Sequence, residues 1–411
     1  MTGRVIVLGA GMVGVSTGLA LLRRGFSVTI LDRREPGSET SYGNAGILSS
    51  GSMVPLNAPS LWGSLPRYLT NRHPALRYNL GFLASHPAWP LRFLAHATSS
   101  QVERSAIALH GLLQASLKLH RSLIVEAGAT HRLRETGWLK LWRSDNLEAA
   151  KAEQATLARY GVRSEIFDRQ GISALEPDIN PIFSVGLLHQ DTASVDAPGA
   201  VTKAYAALFA REGGRIETTD IKTISQAGEE WRVITSSGEH SAPHLVVALG
   251  PWSADMLAQL GYRFPLGFER GYHREFRAAD GRKLSRPLHD VEGAFVLTPV
   301  ENGFRITSGV ELNARDAAPN FNQIELAEKS AEDIMPFGAP VGDVWRGARP
   351  TLPDSLPAIG RAPRHDRLWV AFGHQHIGFT TGPATGDALA TLIAGEKPSF
   401  DISAFSPSRF G

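Results

Sequence analysis

Three stretches carry residue types at spacings that can do chemistry. The first, VIVLGAGMVG, spans Val5–Gly14 and sets Gly9, Gly11 and Gly14 in the pattern G-x-G-x-x-G. Glycines so spaced allow a tight turn, a close approach of backbone to a diphosphate, and tight packing of a helix on a strand. The second, WRGARP, holds Arg346 and Arg349, and a guanidinium can grip a carboxylate through two parallel N–H bonds. The third, GHQHIGFT, runs from Gly373 to Thr380 and pairs His374 with His376. The stretch ERGYH adds Tyr272 at the head of a strand-like run, where a phenol could bind the same carboxylate or shape a pocket. If Tyr272 and His273 share a strand they face opposite ways, and Tyr272 is the one expected to face the ligand. The H-x-H pair lacks an evident third ligand and the chain has no cysteine, so no metal site is expected.

Elements must position these groups. Val5–Leu8 reads as a buried parallel strand, Val13–Arg24 as a helix stopped by Gly25, and FSVTILD as a second strand ending in Asp32. The helix N-terminus offers free N–H groups to phosphates. Asp32 follows Gly11 by 21 residues, placed to bind a ribose, and its charge disfavours the extra phosphate of NADP. The run GVSTG (14–18) mimics a serine-hydrolase elbow, but its Ser16 falls inside the helix rather than at an exposed tip. After Asp32 comes a polar, glycine-rich loop through Ser41, Asn44 and Gly46 instead of a third nucleotide-binding unit. Near the other end, Leu368–Ala371 reads as a strand, Gly373–Gly382 as a glycine loop, and a helix is expected from about Pro383. Two strand–glycine–helix units converging on one ligand suit a long dinucleotide with a second ring system, FAD rather than a nicotinamide.

These motifs together resemble the D-amino-acid oxidase superfamily of FAD-dependent amine oxidoreductases. The chain is similar to bacterial D-amino-acid dehydrogenases and D-hydroxyproline-dehydrogenase-like proteins, and more distantly to glycine oxidase. The fingerprint with Asp32, ETSYGNAG (39–46), LVVALGPWS (245–253), ERGYH (269–273), WRGARPTLPDSLPAIG (345–360) and AFGHQHIG (371–378) carry the likeness, in order along nearly the whole chain. The resemblance implies noncovalent FAD. Its pyrophosphate and ribose would lie on Gly9, Ala10, Gly11, Met12, Val13, Gly14, Asp32 and Arg33. Ser41, Asn44, Ala45, Gly46 and Ile47 would follow toward the ring, and Ile221 and Gly250 would flank the adenine side. Gly373, Gln375, Ile377, Gly378, Phe379 and Thr380 would close over the ring and ribityl chain. Relatives more often have glycine where Gln375 stands. Arg349, in the family's G-x-R-P position, would bind a substrate carboxylate, with Tyr272, His374 and His376 nearby. No catalytic base is assigned, since flavin N5 carries the chemistry.

The implied activity is oxidation of a D-amino or imino acid, such as D-proline, D-hydroxyproline or D-amino acids broadly, by hydride transfer from the α-carbon. A glycine/sarcosine-type oxidase using oxygen, or a non-catalytic flavin-binding subunit, are the alternatives. The electron acceptor would be a quinone or oxygen. The fold expected is α/β: a Rossmann-like FAD domain from 1–55, 190–265 and 345–411, and a substrate domain with a mostly antiparallel sheet from 56–189 and 266–344. Turns are expected at Asp280-Gly281 and Asn302-Gly303, and helices at Ser105–Glu126 and Leu147–Tyr160.

The chain has 411 residues and a net charge of +2. That leaves no global basic field of the kind nucleic acid selects, so no nucleic-acid partner is expected. No stretch approaches the roughly 20 apolar residues of a membrane span, and the N-terminus does not read as a secretory signal. From Thr40 to Val102 there is no Asp or Glu but four arginines, Arg67, Arg72, Arg77 and Arg92. Helices packed over the substrate domain are expected there, with contact between 61–96 and an anionic membrane as the second reading. The expected location is cytoplasmic, at most peripheral to the inner membrane.

Overall fold

The computed structural model describes residues 3–301 and 303–410, so the turn expected at Asn302-Gly303 lies partly outside the described residues. Apolar runs too short for helices make the strands Arg4–Leu8, Ser27–Asp32 and His244–Val247, which pair in parallel. Arg215–Thr218 and Leu368–Phe372 extend this sheet in parallel on either side, and Ala358–Arg361 closes it antiparallel. The segments meeting in it come from the start, middle and end of the chain.

The first helix, Met12–Leu22, and the helix Gly378–Ile393 cross on this sheet at glycines. A Cβ on Gly382 would lie 2.6 Å from Met12 Cγ, and one on Gly386 2.5 Å from the backbone carbon of Ser16. Two helices can approach this closely only without side chains at the crossing. Ser16 is buried inside the first helix, which removes it as a nucleophile.

The second of these helices starts five residues before the expected Pro383, which lies inside it. A proline cannot donate to the carbonyl four residues back, here that of Phe379. His120 Nε2 donates to the Phe379 carbonyl at 2.9 Å instead, and the His120 Nδ1 lies 2.9 Å from the Tyr205 hydroxyl. His120 belongs to Ser99–Glu126, which begins six residues before the expected Ser105, so a buried imidazole repairs the gap in a neighbouring helix.

A ten-stranded, mostly antiparallel sheet forms the second layer system. Its long strands are Gly267–Ala278 and Phe337–Thr351, paired Glu269 to Arg349 and His273 to Trp345. Residues 345–351 therefore continue an antiparallel strand, and this sheet reaches past the expected boundary at 344. The turn at Asp280-Gly281 has positive φ at both residues (53° and 72°). The short helices Ser60–Leu69, Leu80–Ser85 and Ala88–Ala95 bury none of their residues. Trp62, Leu69, Leu80 and Leu91 on them are exposed. No described helix is long and apolar enough to cross a membrane.

Candidate active site

A cavity of about 1020 Å³ opens between the two sheets. Gly9 turns the first strand toward it with φ +109°, and a Cβ there would lie 2.4 Å from the Ala248 carbonyl oxygen. Gly14 packs so tightly that a Cβ would lie 1.9 Å from the Gly9 oxygen. Gly11 differs. Its backbone is extended, and a Cβ would meet only Ser41 Oγ, at 3.3 Å. Its lack of a side chain leaves room for a ligand on the cavity wall rather than satisfying the fold. Ser41 Oγ accepts from the Met12 N–H at 3.0 Å.

Asp32 accepts from the Ala10 N–H at 2.6 Å and from the Arg34 N–H at 2.9 Å. Burial pushes its carboxyl up, against those two bonds. Each oxygen keeps a lone pair for a ribose hydroxyl. Arg33 lies at the rim, paired with Glu39 at 2.8 Å and stacked 4.0 Å from the Trp252 ring centre. Ala10, Met12, Val13, Asn44, Ala45 and Ile47 line the cavity, as do Ile221 and Gly250 at its other end. Gln375, Ile377, Gly378, Phe379 and Thr380 line it where the last long helix begins. The cradle at Gly11, two helix N-termini and the ribose-ready Asp32 fit a dinucleotide.

Three expected contact residues stand behind this wall. Gly14 seats the helix. A Cβ on Gly46 would lie 2.2 Å from the Val195 oxygen, and one on Gly373 2.7 Å from Leu352 Cδ1. Their missing side chains serve the chain's own packing. Gln375 has φ +51°, a left-handed conformation that suits glycine. Its N–H donates to the Pro350 oxygen at 2.9 Å and its side chain to the Ser355 carbonyl, which offset the strain. Gln375→Val keeps the strained φ, adds a β-branch and removes the side-chain bond. It should cost about 2 kcal/mol, read as a lower Tm.

Arg349 stands on the cavity side of Phe337–Thr351. Its guanidinium lies across Gly271, where a Cβ would be 2.4 Å from Nη2. No hydrogen bond or ion pair joins it to another described residue. Burial pushes it down against the opposing charge of Glu269, yet an arginine stays charged in any protein environment. Glu269, opposite it in the ladder, is itself buried and pushed up by that burial, against Arg349 and Thr351. His376 lines the cavity beside Arg349, and burial together with the Arg349 charge holds its imidazole down at about 4. His374 is held at about 3 by burial, and its Nε2 is 3.1 Å from Thr385 Oγ1. Both are neutral near pH 7. Among the described residues no cluster of three potential metal ligands occurs.

Tyr272 requires a correction. Tyr272 lines the cavity, but alternation along its strand turns its side chain to the face opposite Arg349, into the cluster with Phe276, Phe304 and Ile306. Its hydroxyl donates to Glu311 Oε2 at 2.5 Å and accepts from Arg270 and from the Asn320 N–H. Gly271 and His273 share the Arg349 face. His273 stacks on Trp345 at 4.9 Å, a brace rather than a ligand contact.

Sequence reasoning missed two sets of residues. Arg305, buried and paired with Glu275 at 2.6 Å, donates to the Asn44 carbonyl at 2.6 Å and the Tyr42 carbonyl at 3.1 Å. It pins the loop that follows Asp32. The second set, Trp138, Lys140, Glu153, His189 and His289, lines a further lobe of the cavity. No motif marks it, because strands distant in sequence assemble it.

Two fully enclosed imidazoles give the protein a pH dependence. Burial holds His120 at about 4, and burial with the Arg305 charge holds His273 at about 2. The unfolded chain protonates them near the ordinary 6.5 and the folded chain does not, so acidification below about 6.5 favours unfolding. Each contributes a slope of about 1.4 kcal/mol per pH unit until its folded value is reached. Melting temperature measured from pH 7 to 4.5 should fall progressively, and His120→Gln should flatten that fall.

The family described as DAO, FAD dependent oxidoreductase, matches residues 4–392. The chain belongs to that family, which implies FAD binding and oxidation of amino acids. A D-amino-acid oxidase of Bradyrhizobium diazoefficiens is 31% identical over 99% of this chain and 98% of its own length. A D-amino acid dehydrogenase of Granulibacter bethesdensis is 31% identical over 99% of both. The fold matches glycine oxidase from Geobacillus kaustophilus, with a TM-score of 0.74 at 22% identity over 98% of both chains. It also matches L-proline dehydrogenase from P. horikoshii, with a TM-score of 0.75 at 18% identity over 100% of this chain and 98% of that one.

Proposed function

We propose that the chain dehydrogenates a D-amino or imino acid at its α-carbon, with noncovalent FAD. The observation that carries the reading is Arg349: a half-buried cation that no described residue hydrogen-bonds, opening onto the cofactor cavity. A substrate carboxylate completes it, and the two parallel bonds fix the orientation of the α-carbon. FAD, when bound, supplies the hydride acceptor at N5. Residues 9–13, Asp32, Asn44, Ala45, Ile47 and 377–380 would hold it. The neutral His376 beside Arg349 can accept or donate a hydrogen bond without competing for the carboxylate. The low-dielectric wall favours the neutral form of the substrate amine, the form from which hydride leaves. The D preference rests on the relatives at 31% identity.

The test is an anaerobic titration of the purified protein, followed at the flavin band near roughly 450 nm, where a bound flavin reports its reduction. D-proline, cis-4-hydroxy-D-proline, other D-amino acids, glycine, sarcosine and the L-forms are added in turn. Bleaching by a D-amino or imino acid is expected. A yellow protein that none of them bleaches would overturn the reading. Peroxide formed in air would identify oxygen as acceptor, and its absence would favour a quinone.

The segment 61–96, free of acids and carrying exposed Trp62, Leu69 and Leu91 with four arginines, favours contact with anionic lipid. Vesicles of anionic lipid should carry the protein in flotation while neutral ones do not, and salt should reverse it. Equal flotation with both, or with neither, would remove this contact.

A further inference from the structure

The cavity does not end at Arg349. Its far lobe is walled by strands of the ten-stranded sheet, with His289, Val296 and Thr307 as cross-strand neighbours on one face. Lys140 lies beside His289 in the parallel pair. Lys140 Nζ bonds Glu153 Oε2 at 2.5 Å, and His189 Nε2 lies 3.3 Å from Glu153 Oε1. Trp138 lies tilted against His189 at 4.9 Å and stacks on His289 at 5.8 Å by ring centres. No hydrogen bond ties the His289 imidazole to another described residue, and its Nδ1, the Trp138 Nε1 and both His189 nitrogens have no hydrogen-bond partner among the described residues.

This wall is polar yet electrically balanced. Burial pushes Glu153 up, but His189 and Lys140 outweigh it and hold the carboxylate at about 2. Burial and Lys140 hold His289 at about 3, so it is a neutral imidazole. Lys140 and Glu153 already satisfy each other at 2.5 Å, while the unpartnered imidazole and indole nitrogens remain. A buried polar group without a partner costs roughly 1–3 kcal/mol, so a wall left this way favours a ligand that supplies the missing bonds. A charged group would meet a Lys140–Glu153 pair already closed.

Resting on the function proposed above, we propose that this lobe receives the distal end of the substrate's side chain and selects amino acids ending in an uncharged hydrogen-bonding group, an amide or hydroxyl. His289 makes the contact, and the Lys140–Glu153–His189 chain holds the wall around it.

The test uses the FAD-loaded protein and carboxylic acids that lack the amine, so that nothing is oxidised. Dissociation constants are measured by calorimetry for propanoate, 4-carbamoylbutanoate, hexanoate and glutarate. The amide acid should bind about tenfold tighter than hexanoate of similar length, the size of one well-made hydrogen bond, and tighter than the dianion glutarate. In His289→Leu that advantage should vanish while propanoate binding is unchanged, and His289→Gln should restore part of it. Equal affinity of the amide acid and hexanoate in the unaltered protein would overturn the proposal, as would tighter binding of glutarate. If His289→Leu does not fold, the comparison in the unaltered protein still decides. Propanoate that binds, but not to Arg349→Leu, keeps the anchor while the lobe is judged separately. Propanoate that does not bind at all removes the anchor and the lobe with it.

Discussion

Arg349→Leu should raise KM for the amino-acid substrate by roughly two to three orders of magnitude while the protein remains yellow and folded. The magnitude follows from the site. The guanidinium lines the cavity and makes no hydrogen bond to another described residue, so its directed bonds are left for the ligand. Removing one partner of a buried charge pair costs about 2–5 kcal/mol. The fold should tolerate the change, because the arginine makes no hydrogen bond to another described residue and leucine leaves an apolar wall. Glu269, across the ladder, would lose its nearby cation and become easier to protonate, which keeps the variant from burying an unpaired anion. Steady-state kinetics alongside the flavin spectrum check this. An unchanged KM for a carboxylate substrate would place the anchor elsewhere.

Gly386→Val should lower stability by about 3 kcal/mol and release most of the cofactor. A Cβ there meets the backbone of Ser16 at 2.5 Å, and backbone cannot swing aside as a flexible side chain can. Overpacking costs typically about 1–3 kcal/mol, and this contact is at the severe end. The two helices whose N-termini meet the cavity must separate to admit the methyl groups, so the damage passes directly to the ligand. Thermal unfolding and flavin retention on a desalting column measure both effects. Gly395→Ala is the control: it has nothing within 4 Å, although its φ of +78° adds ordinary strain. A Gly386 variant that keeps its flavin as the control does would show that the helix crossing is not what shapes the site.

Legibility followed the range of the interactions. The turn at Gly9–Gly14 was readable because strand, glycines, helix and Asp32 lie within one local unit. The two-sheet α/β architecture was readable from where short apolar runs and alternating runs fall. The helix at Gly378 was misplaced because Pro383 reads locally as a start. The group that repairs its lost bond, His120, lies far off in sequence. Tyr272 was misassigned for a related reason. Alternation shows that it and His273 face opposite ways, but which face meets the cavity depends on how the two sheets pack. The far lobe was invisible because Trp138, Glu153, His189 and His289 acquire meaning only once three strands and a helix bring them together.

The crossing of Met12–Leu22 with Gly378–Ile393 also sets a timetable. Met12 and Gly382 are 370 positions apart, yet they touch. During synthesis the first nucleotide-binding turn emerges early and must wait, its helix uncovered, for the closing helix. Contacts of such separation slow folding, and the exposed apolar helix is meanwhile a target for chaperones. Cofactor capture is therefore a late event. A nascent chain stalled before Leu368 should not hold flavin, and one stalled well beyond Ile393 should.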